Sequence, residues 1–149
     1  METGYKVGEI MVREVKTTFQ GDIITLAARK MADEKIGCLV ITDKDKVVGI
    51  LTEQDIARKL VAEGREGAAT LVREIMSREI VHIDPKEDLY RAVELMNQNS
   101  IKHLPVISKG KLQGILTFKD IIAIEPALID SMSFKSSARD NLERIESSR

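Results

Sequence analysis

Apolar and polar residues follow one another along the chain in an order that predicts the same elements twice. Each half begins with an extended lead segment, followed by an amphipathic helix. Two β-rich runs joined by a polar turn come next, and a second helix closes the half. The pattern predicts an α+β fold of two β-α-β-β-α units. The helical periodicity rests on these apolar residues: Ile23, Ala27, Met31, Leu89, Ala92, Val93 and Met96.

The strands are expected at CLVIT and VVGILT, around the turn at residues 43–46, and at HLPVIS and LQGILT, around residues 109–111. The first helix of the second half is expected to start at Asp84 as the N-cap, with Pro85 next to it. Its counterpart in the first half has only a weaker start, at residues 21–22.

The two halves are copies of one another at an offset of 65 residues. When residues 7–56 are laid over residues 72–121 without a gap, 18 of the 50 positions are identical, where chance gives about three. The string GILT recurs unchanged, and Asp55-Ile56 falls on Asp120-Ile121. We therefore expect a first repeat at residues 1–65, a second at residues 66–125, and a tail at residues 126–149.

The composition argues against nucleic-acid binding, cysteine-based sites and a membrane-spanning protein. Lys and Arg number 23 against 24 Asp and Glu, so no basic excess indicates nucleic-acid binding. Cys38 is the only cysteine, which excludes an internal disulfide and a cysteine-rich metal site. No apolar run approaches the roughly 20 residues that span a bilayer, and the first residues do not resemble a secretion signal. We expect a cytoplasmic protein with no membrane or nucleic-acid partner.

Each repeat ends its second β run with the pattern Gly-apolar-apolar-Thr-x-x-Asp, at Thr52 to Asp55 and again at Thr117 to Asp120. The pattern is typical of a capping box, in which the Thr hydroxyl and the Asp carboxylate satisfy the first amides of a helix. Such a helix start needs no ligand. A carboxylate fixed there could also accept hydrogen bonds from two neighbouring hydroxyls, and both interpretations can hold at once.

Repeated in register with EIM, IGCLVI and IKHLPV, this pattern resembles the CBS-domain pair, a family named for repeats in cystathionine β-synthase. The resemblance covers residues 7–124 and implies two copies packed about a pseudo-twofold axis, with two clefts between the repeats. It implies a regulatory module that is usually dimeric, binds an adenosine-containing ligand such as AMP, ADP, ATP or S-adenosylmethionine, and acts on an unknown partner protein. It implies no other cofactor.

The resemblance also implies roles for residues, with each cleft built from both repeats. Asp55 and Asp120 would hold the ribose hydroxyls, with Thr52 and Thr117 near the ribose or phosphate and a flat base against Ile50 or Ile115. The first cleft would combine Thr52 and Asp55 with Lys102, His103, Leu104 and the lead as far as Ile80. The second would combine Thr117 and Asp120 with Gly37, Cys38, Leu39 and the lead as far as Val15.

The first cleft offers two groups that can be cations, so we expect it to prefer phosphate-bearing ligands. Lys102 could instead be a solvated surface lysine, and His103 a strand histidine with satisfied hydrogen bonds. Cys38 is more typical of a small core residue than of a nucleophile. Gly49 and Gly114 mark either a bulge or a close approach of another group.

The sequence contains no catalytic motif or metal-ligand spacing, so we expect no enzyme and no metal. The alternative function is a structural interaction module whose clefts stay empty. Apolar residues of the second helices, Ile56, Leu60, Ile121 and Ile122, predict a homodimer through those helices. Phe134, Ala138, Leu142 and Ile145 fit either an amphipathic tail helix or a frayed tail.

Overall fold

The computed structural model describes residues 1–131 and 143–148. The chain alternates short helices and strands, which confirms the α+β repeat fold. The first repeat contains α1 (Val7–Ile10), β1 (Thr17–Phe19), α2 (Ile24–Glu34), β2 (Cys38–Asp43), β3 (Lys46–Thr52) and α3 (Glu53–Asp55), which continues as a π-helix (Ile56–Val61). The second repeat contains α4 (Val72–Ile75), α5 (Leu89–Asn99), β4 (His103–Ser108), β5 (Lys111–Thr117) and α6 (Phe118–Ile124). Short 3₁₀ helices lie at Gly67–Ala69 and Pro126–Ser131.

The lead segments are not fully extended, because each contains one helical turn, α1 or α4. The same acidic position stabilises both turns. Glu9 accepts a hydrogen bond from the Lys6 N–H at 3.0 Å, and Glu74 accepts one from the Leu71 N–H at 2.7 Å. These carboxylates satisfy amides that a helix start leaves without an intrahelical partner.

The predicted start of α5 at Asp84 is wrong by four residues, since Asp88 is the N-cap and accepts from the Tyr90 N–H at 2.9 Å. The carbonyl of Pro85 would serve a helix that began at Asp84, but it accepts instead from the Gly8 N–H at 2.9 Å. In the first repeat, α2 likewise begins at Ile24 and not at residues 21–22.

The sheets of the two repeats differ. In the first repeat β1 pairs in parallel with β2, and β2 pairs antiparallel with β3. In the second, only β4 and β5 form a sheet, and the equivalent of β1 is reduced to a single bridge between Ile83 and Val106. Val40 donates its N–H to the Lys16 carbonyl at 3.2 Å, whereas the equivalent residue of the second repeat, Pro105, has no N–H to donate.

Two compact units make up the chain, and they do not coincide with the two sequence repeats. The α5 unit contains residues 1–12, 81–106 and the described part of 115–149. The α2 unit contains residues 13–80 and 107–114. Each unit therefore joins the start of one repeat to the body of the other.

Backbone hydrogen bonds fix these exchanged lead segments. In the α5 unit, Val7 N–H donates to the Glu87 carbonyl at 2.9 Å and Leu89 N–H donates to the Tyr5 carbonyl at 2.9 Å. In the α2 unit the corresponding bonds run from Val72 N–H to the Asp22 carbonyl at 2.8 Å and from Ile24 N–H to the Thr70 carbonyl at 2.9 Å. The positions of the two sets differ by the repeat offset of 65 residues.

Each unit has its own hydrophobic core, and each core includes a lead segment. Burial of apolar side chains from both repeats in one core supplies the main stabilising term of the unit. The α5 unit buries Val7, Met11, Ile83, Leu89, Ala92, Val93, Met96, Leu104, Val106, Leu116, Ile121 and Leu128. The α2 unit buries Ile24, Ala27, Met31, Leu39, Ile41, Leu51, Leu60, Val72, Ile75 and Met76.

The second helices direct much of their apolar surface inward. Leu60 and Ile121 are buried in the cores of their own units, and Ile56 packs against the core of the α2 unit. Three of the four apolar residues named for the predicted dimer thus contribute to the cores of their own units, Ile122 is half-buried, and the homodimer stays a prediction. Val61 and Ile124 are the large apolar side chains of these two helices that stay exposed, at 68% and 42%.

Candidate functional site

The first Thr-x-x-Asp segment closes β3 and opens α3. The Thr52 N–H donates to Oδ2 of Asp55 at 2.9 Å, and the Thr52 hydroxyl donates to the same oxygen at 3.2 Å. In return the Thr52 hydroxyl accepts from the Asp55 N–H at 3.2 Å. The expected capping box is confirmed, and it holds the carboxylate in one orientation at the end of the strand.

The second Thr-x-x-Asp segment repeats this geometry between β5 and α6. Oδ2 of Asp120 accepts from the Thr117 N–H at 2.9 Å and from the Thr117 hydroxyl at 2.8 Å. The two carboxylates are thus fixed in the same way, each through one oxygen. A carboxylate has about four lone-pair positions, so both retain acceptor capacity after the cap has formed.

Lys59 distinguishes the two carboxylates. Its Nζ lies 2.9 Å from Oδ1 of Asp55 and donates to the Ile75 carbonyl at 3.1 Å. The residue at the equivalent position of the second repeat is Ile124, which cannot form an ion pair. Lys59 was not among the residues predicted from the sequence, although an acidic residue four positions before a lysine on a helix is a recognisable signal.

A lead segment borders each of these sites within its own unit. In the α2 unit Ile50 exchanges two backbone hydrogen bonds with Ser77, at 3.0 and 2.9 Å. In the α5 unit Ile115 exchanges two with Val12, both at 2.9 Å. The residues expected to lie against a base are therefore paired to a lead through their main chains.

Gly49 is required by this close approach. A Cβ at Gly49 would lie 2.7 Å from Sδ of Met76 and 3.0 Å from the Ser77 carbonyl oxygen. The pairing of β2 with β3 also shifts register after Ile41, so a bulge and a close approach both occur in this region. The approaching groups are the Met76 side chain and the Ser77 main chain.

Replacement of Gly49 by alanine is expected to destabilise the protein by about 1–3 kcal/mol, because the added methyl group overpacks the contact with Met76 and Ser77. Gly37→Ala is the control, since its Cβ would meet the Glu53 carboxyl group at an ordinary 3.4 Å. Urea unfolding of both variants measures the difference. Equal destabilisation by the two substitutions would contradict the close-packing explanation.

Cys38 lies in the core beside the first site, where it pairs with Thr52 across the β2–β3 ladder. Burial raises the pKa of the Cys38 thiol to about 12, and the negative charge of Asp55 adds to the rise. The thiol is therefore protonated at neutral pH and is a poor nucleophile. Leu39 is fully buried in the same core, and the Gly37 carbonyl accepts from the Glu53 N–H at 3.0 Å.

Lys102, His103 and Leu104 lie in the α5 unit, together with Thr117 and Asp120. The Lys102 carbonyl accepts from the Phe118 N–H at 2.9 Å, as the Gly37 carbonyl does for Glu53 in the other repeat. Leu104 is fully buried, His103 begins β4, and Lys102 is exposed.

Each predicted cleft combines residues that belong to different units. Ile80 lies in the α2 unit with Thr52 and Asp55, as its grouping requires. Val15 also lies in the α2 unit, whereas Asp120 belongs to the α5 unit. The grouping of Asp55 with Lys102 and His103, and that of Asp120 with Gly37 and Cys38, stay predictions.

Two further features of the described residues concern metal binding and membrane-spanning helices. Within residues 1–131 and 143–148, no three His, Cys, Asp or Glu side chains come together in a way that could hold a metal ion. Every helix in that part of the chain is too short or too polar to span a bilayer.

Of the predicted tail helix, Phe134, Ala138 and Leu142 lie outside the described residues, and Ile145 lies in a helical turn with 54% exposure.

Comparison with known proteins gives a consistent result. The family model described as "CBS domain" matches residues 7–62 and again residues 72–126. A protein of Methanopyrus kandleri is 36% identical over 125 residues, which cover 83% of this chain and 64% of that protein. The CBS domain-containing protein YhcV of Bacillus subtilis is 34% identical over 115 residues, covering 77% of this chain and 81% of its own length.

Solved structures show the same similarity. A protein with CBS domains from Burkholderia ambifaria has a TM-score of 0.78 at 32% identity, with 82% of this chain and 95% of that chain covered. The present chain thus spans about two thirds of the Methanopyrus relative and nearly all of the Burkholderia structure.

Proposed function

The chain belongs to the CBS-domain family as a tandem pair of such domains, and from this premise we propose that it is a ligand-sensing regulatory module that binds an adenosine-containing ligand. Tandem CBS domains are generally regulatory modules that bind adenosine ligands. The ligand proposed for this chain is AMP, ADP, ATP or S-adenosylmethionine. Its binding would bias the association of the protein with a partner.

The observation that carries the proposal is the pair of fixed carboxylates. The 2′ and 3′ hydroxyls of a ribose form a vicinal pair of donors, and an ionised carboxylate accepts hydrogen bonds only. Asp55 and Asp120 are each held through Oδ2 by a threonine, which orients the carboxylate before a ligand arrives. A carboxylate that is already ordered loses less conformational entropy when the ligand binds, so the free-energy cost of binding is smaller.

A phosphate group would need donors or cations in addition to the carboxylate. Lys102 and His103 are proposed to supply them for the ligand held by Asp55, because charge-assisted hydrogen bonds to phosphate are stronger than neutral ones. Gly37 and Cys38, at the equivalent place in the first repeat, supply backbone N–H groups and a protonated thiol. The ligand held by Asp120 is then better matched to a neutral or cationic adenosyl group.

A regulatory role needs only modest coupling between the ligand and the partner, typically about 1–3 kcal/mol. Such a role requires no bond-making chemistry, in keeping with a buried and protonated Cys38. We therefore propose a non-enzymatic function. A cytoplasmic location is part of the same proposal.

The second candidate is a module used for self-association only. Val61 and Ile124, exposed on the second helices, favour it. Apolar side chains on a helix surface gain from burial against another copy, and a homodimer through these helices is the assembly proposed. Self-association is also compatible with ligand binding, so the second candidate applies only if the adenosine sites stay empty.

Thermal unfolding in the presence of AMP, ADP, ATP and S-adenosylmethionine tests the proposal. A ligand that binds only the folded state at 100 times its Kd stabilises it by about 2.7 kcal/mol, which raises the Tm by about 5–10 °C for a chain of this length. The double variant Asp55→Ala, Asp120→Ala is the control and is expected to show no rise. If no ligand shifts the Tm while light scattering reports a dimer at micromolar concentration, the self-association module is the function.

A further inference from the structure

The two proposed ribose sites differ in what occupies the second oxygen of the carboxylate. Oδ1 of Asp55 accepts from the Lys59 ammonium group at 2.9 Å. Among the described residues, no donor to Oδ1 of Asp120 is found. The capping bonds to Oδ2 are otherwise the same in both repeats.

Lys59 is held at this place by two contacts and not by the ion pair alone. Its Nζ also donates to the Ile75 carbonyl at the end of α4, at 3.1 Å. The Asp55 side chain is only 14% exposed, whereas that of Lys59 is 47% exposed. The Asp55 carboxylate is therefore largely enclosed, and the ammonium group occupies its second oxygen.

We propose that Lys59 competes with the ligand for Asp55, so that the two ribose sites are unequal. This inference rests on the proposed function. A vicinal diol brings two donors, and among the described residues none occupies a lone pair of Oδ1 of Asp120. Oδ1 of Asp55 has one lone pair available until Lys59 moves away, so a diol gains less at Asp55.

The expected difference in affinity between the two sites is modest, because the Lys59 side chain is partly exposed. Ion pairs four residues apart on an exposed helix surface are weak, and the flexible lysine stem can swing into water. The additional bond to the Ile75 carbonyl makes displacement more costly than for a free side chain. We expect a difference in affinity of about fivefold.

Isothermal titration with adenosine measures this difference one site at a time. Asp120→Ala leaves only the site at Asp55, and in that background Lys59→Ile is expected to tighten adenosine binding about fivefold. Asp55→Ala leaves only the site at Asp120, and there Ile124→Lys is expected to weaken binding about fivefold. The two changes exchange the same pair of residues between the repeats, so each is the matched control of the other.

Further controls test whether the effect depends on the ribose hydroxyls, whether it depends on the charge of Lys59, and whether each variant is folded. The compound 2′,3′-dideoxyadenosine lacks both hydroxyls, and its affinity is expected to be unchanged by Lys59→Ile. The variant Lys59→Met keeps the aliphatic stem and should give the same result as Lys59→Ile if loss of the charge is the cause. A circular dichroism melt of each variant reports whether it is folded.

The outcomes separate this inference from the proposed function. If adenosine binds both single-site variants and neither Lys59→Ile nor Lys59→Met alters its affinity, Lys59 is no competitor, and the proposed function stands. Equal tightening of adenosine and 2′,3′-dideoxyadenosine would also overturn the competition. If neither adenosine nor AMP binds the unmodified protein, the proposed function fails and this inference fails with it.

Discussion

Asp55→Ala is expected to weaken AMP binding by one to several powers of ten. The substitution removes the acceptor proposed for the ribose hydroxyls, and a hydrogen bond to a charged group contributes about 1.5–3 kcal/mol when well made. One such bond accounts for the lower end of the expected range, and a second, formed once Lys59 has moved away from Oδ1, accounts for the upper end, since each 1.4 kcal/mol is a factor of ten. Isothermal titration of the variant with AMP measures the loss.

The double variant Lys102→Ala, His103→Ala should weaken AMP binding to a similar degree while sparing adenosine. The phosphate, in this proposal, depends on these two side chains, and adenosine has no phosphate. Asp120→Ala is the matched control and should reduce AMP affinity less. If Asp120→Ala abolishes AMP binding while the other variants retain it, the preference between the two sites is reversed.

The second large effect concerns folding, since residues 1–65 expressed alone are expected to remain unfolded. That fragment is the first sequence repeat, but it lacks Val72, Ile75 and Met76 of the α2-unit core. Each of these buried side chains contributes about 1.5–3 kcal/mol, and a domain of this size has only about 3–5 kcal/mol in total. Its own lead residue Val7 belongs to the other core.

A fragment of nearly equal length provides the control. Residues 13–80 contain every buried residue of the α2-unit core, and this fragment is expected to unfold cooperatively in urea. Circular dichroism and denaturant titration compare the two fragments directly. A cooperative transition for residues 1–65 with none for residues 13–80 would show that the lead segments are not exchanged.

Local signals were enough to predict the hairpins and the two threonine caps. The turns between the strands place Lys44 and Asp45, and likewise Lys109 and Gly110, at positive φ, and polar or glycine residues at these positions are typical of hairpin turns. The threonine caps were predictable because the whole capping box lies within four consecutive residues.

Features that depend on distant partners could not be predicted in this way. The residues from Asp84 to Pro85 carry a good local helix start, yet the Pro85 carbonyl is engaged by Gly8 from the other repeat. The internal repeat shows which positions are equivalent, but equivalence alone does not say which lead packs on which body. The spacing of Asp55 and Lys59 was a local signal, but the second contact of Lys59, with the Ile75 carbonyl, depends on the lead of the other repeat.

The exchanged lead segments impose an order on folding during synthesis. The last buried residue of the α2-unit core is Met76, so that core can close once the chain has left the ribosome to this point. Val7 is made much earlier, but it packs with residues as late as Leu128. Contacts of such long sequence separation form slowly, because a large loop must close first. The α5 unit is therefore completed after the α2 unit, around a segment that was translated well before the rest of its core.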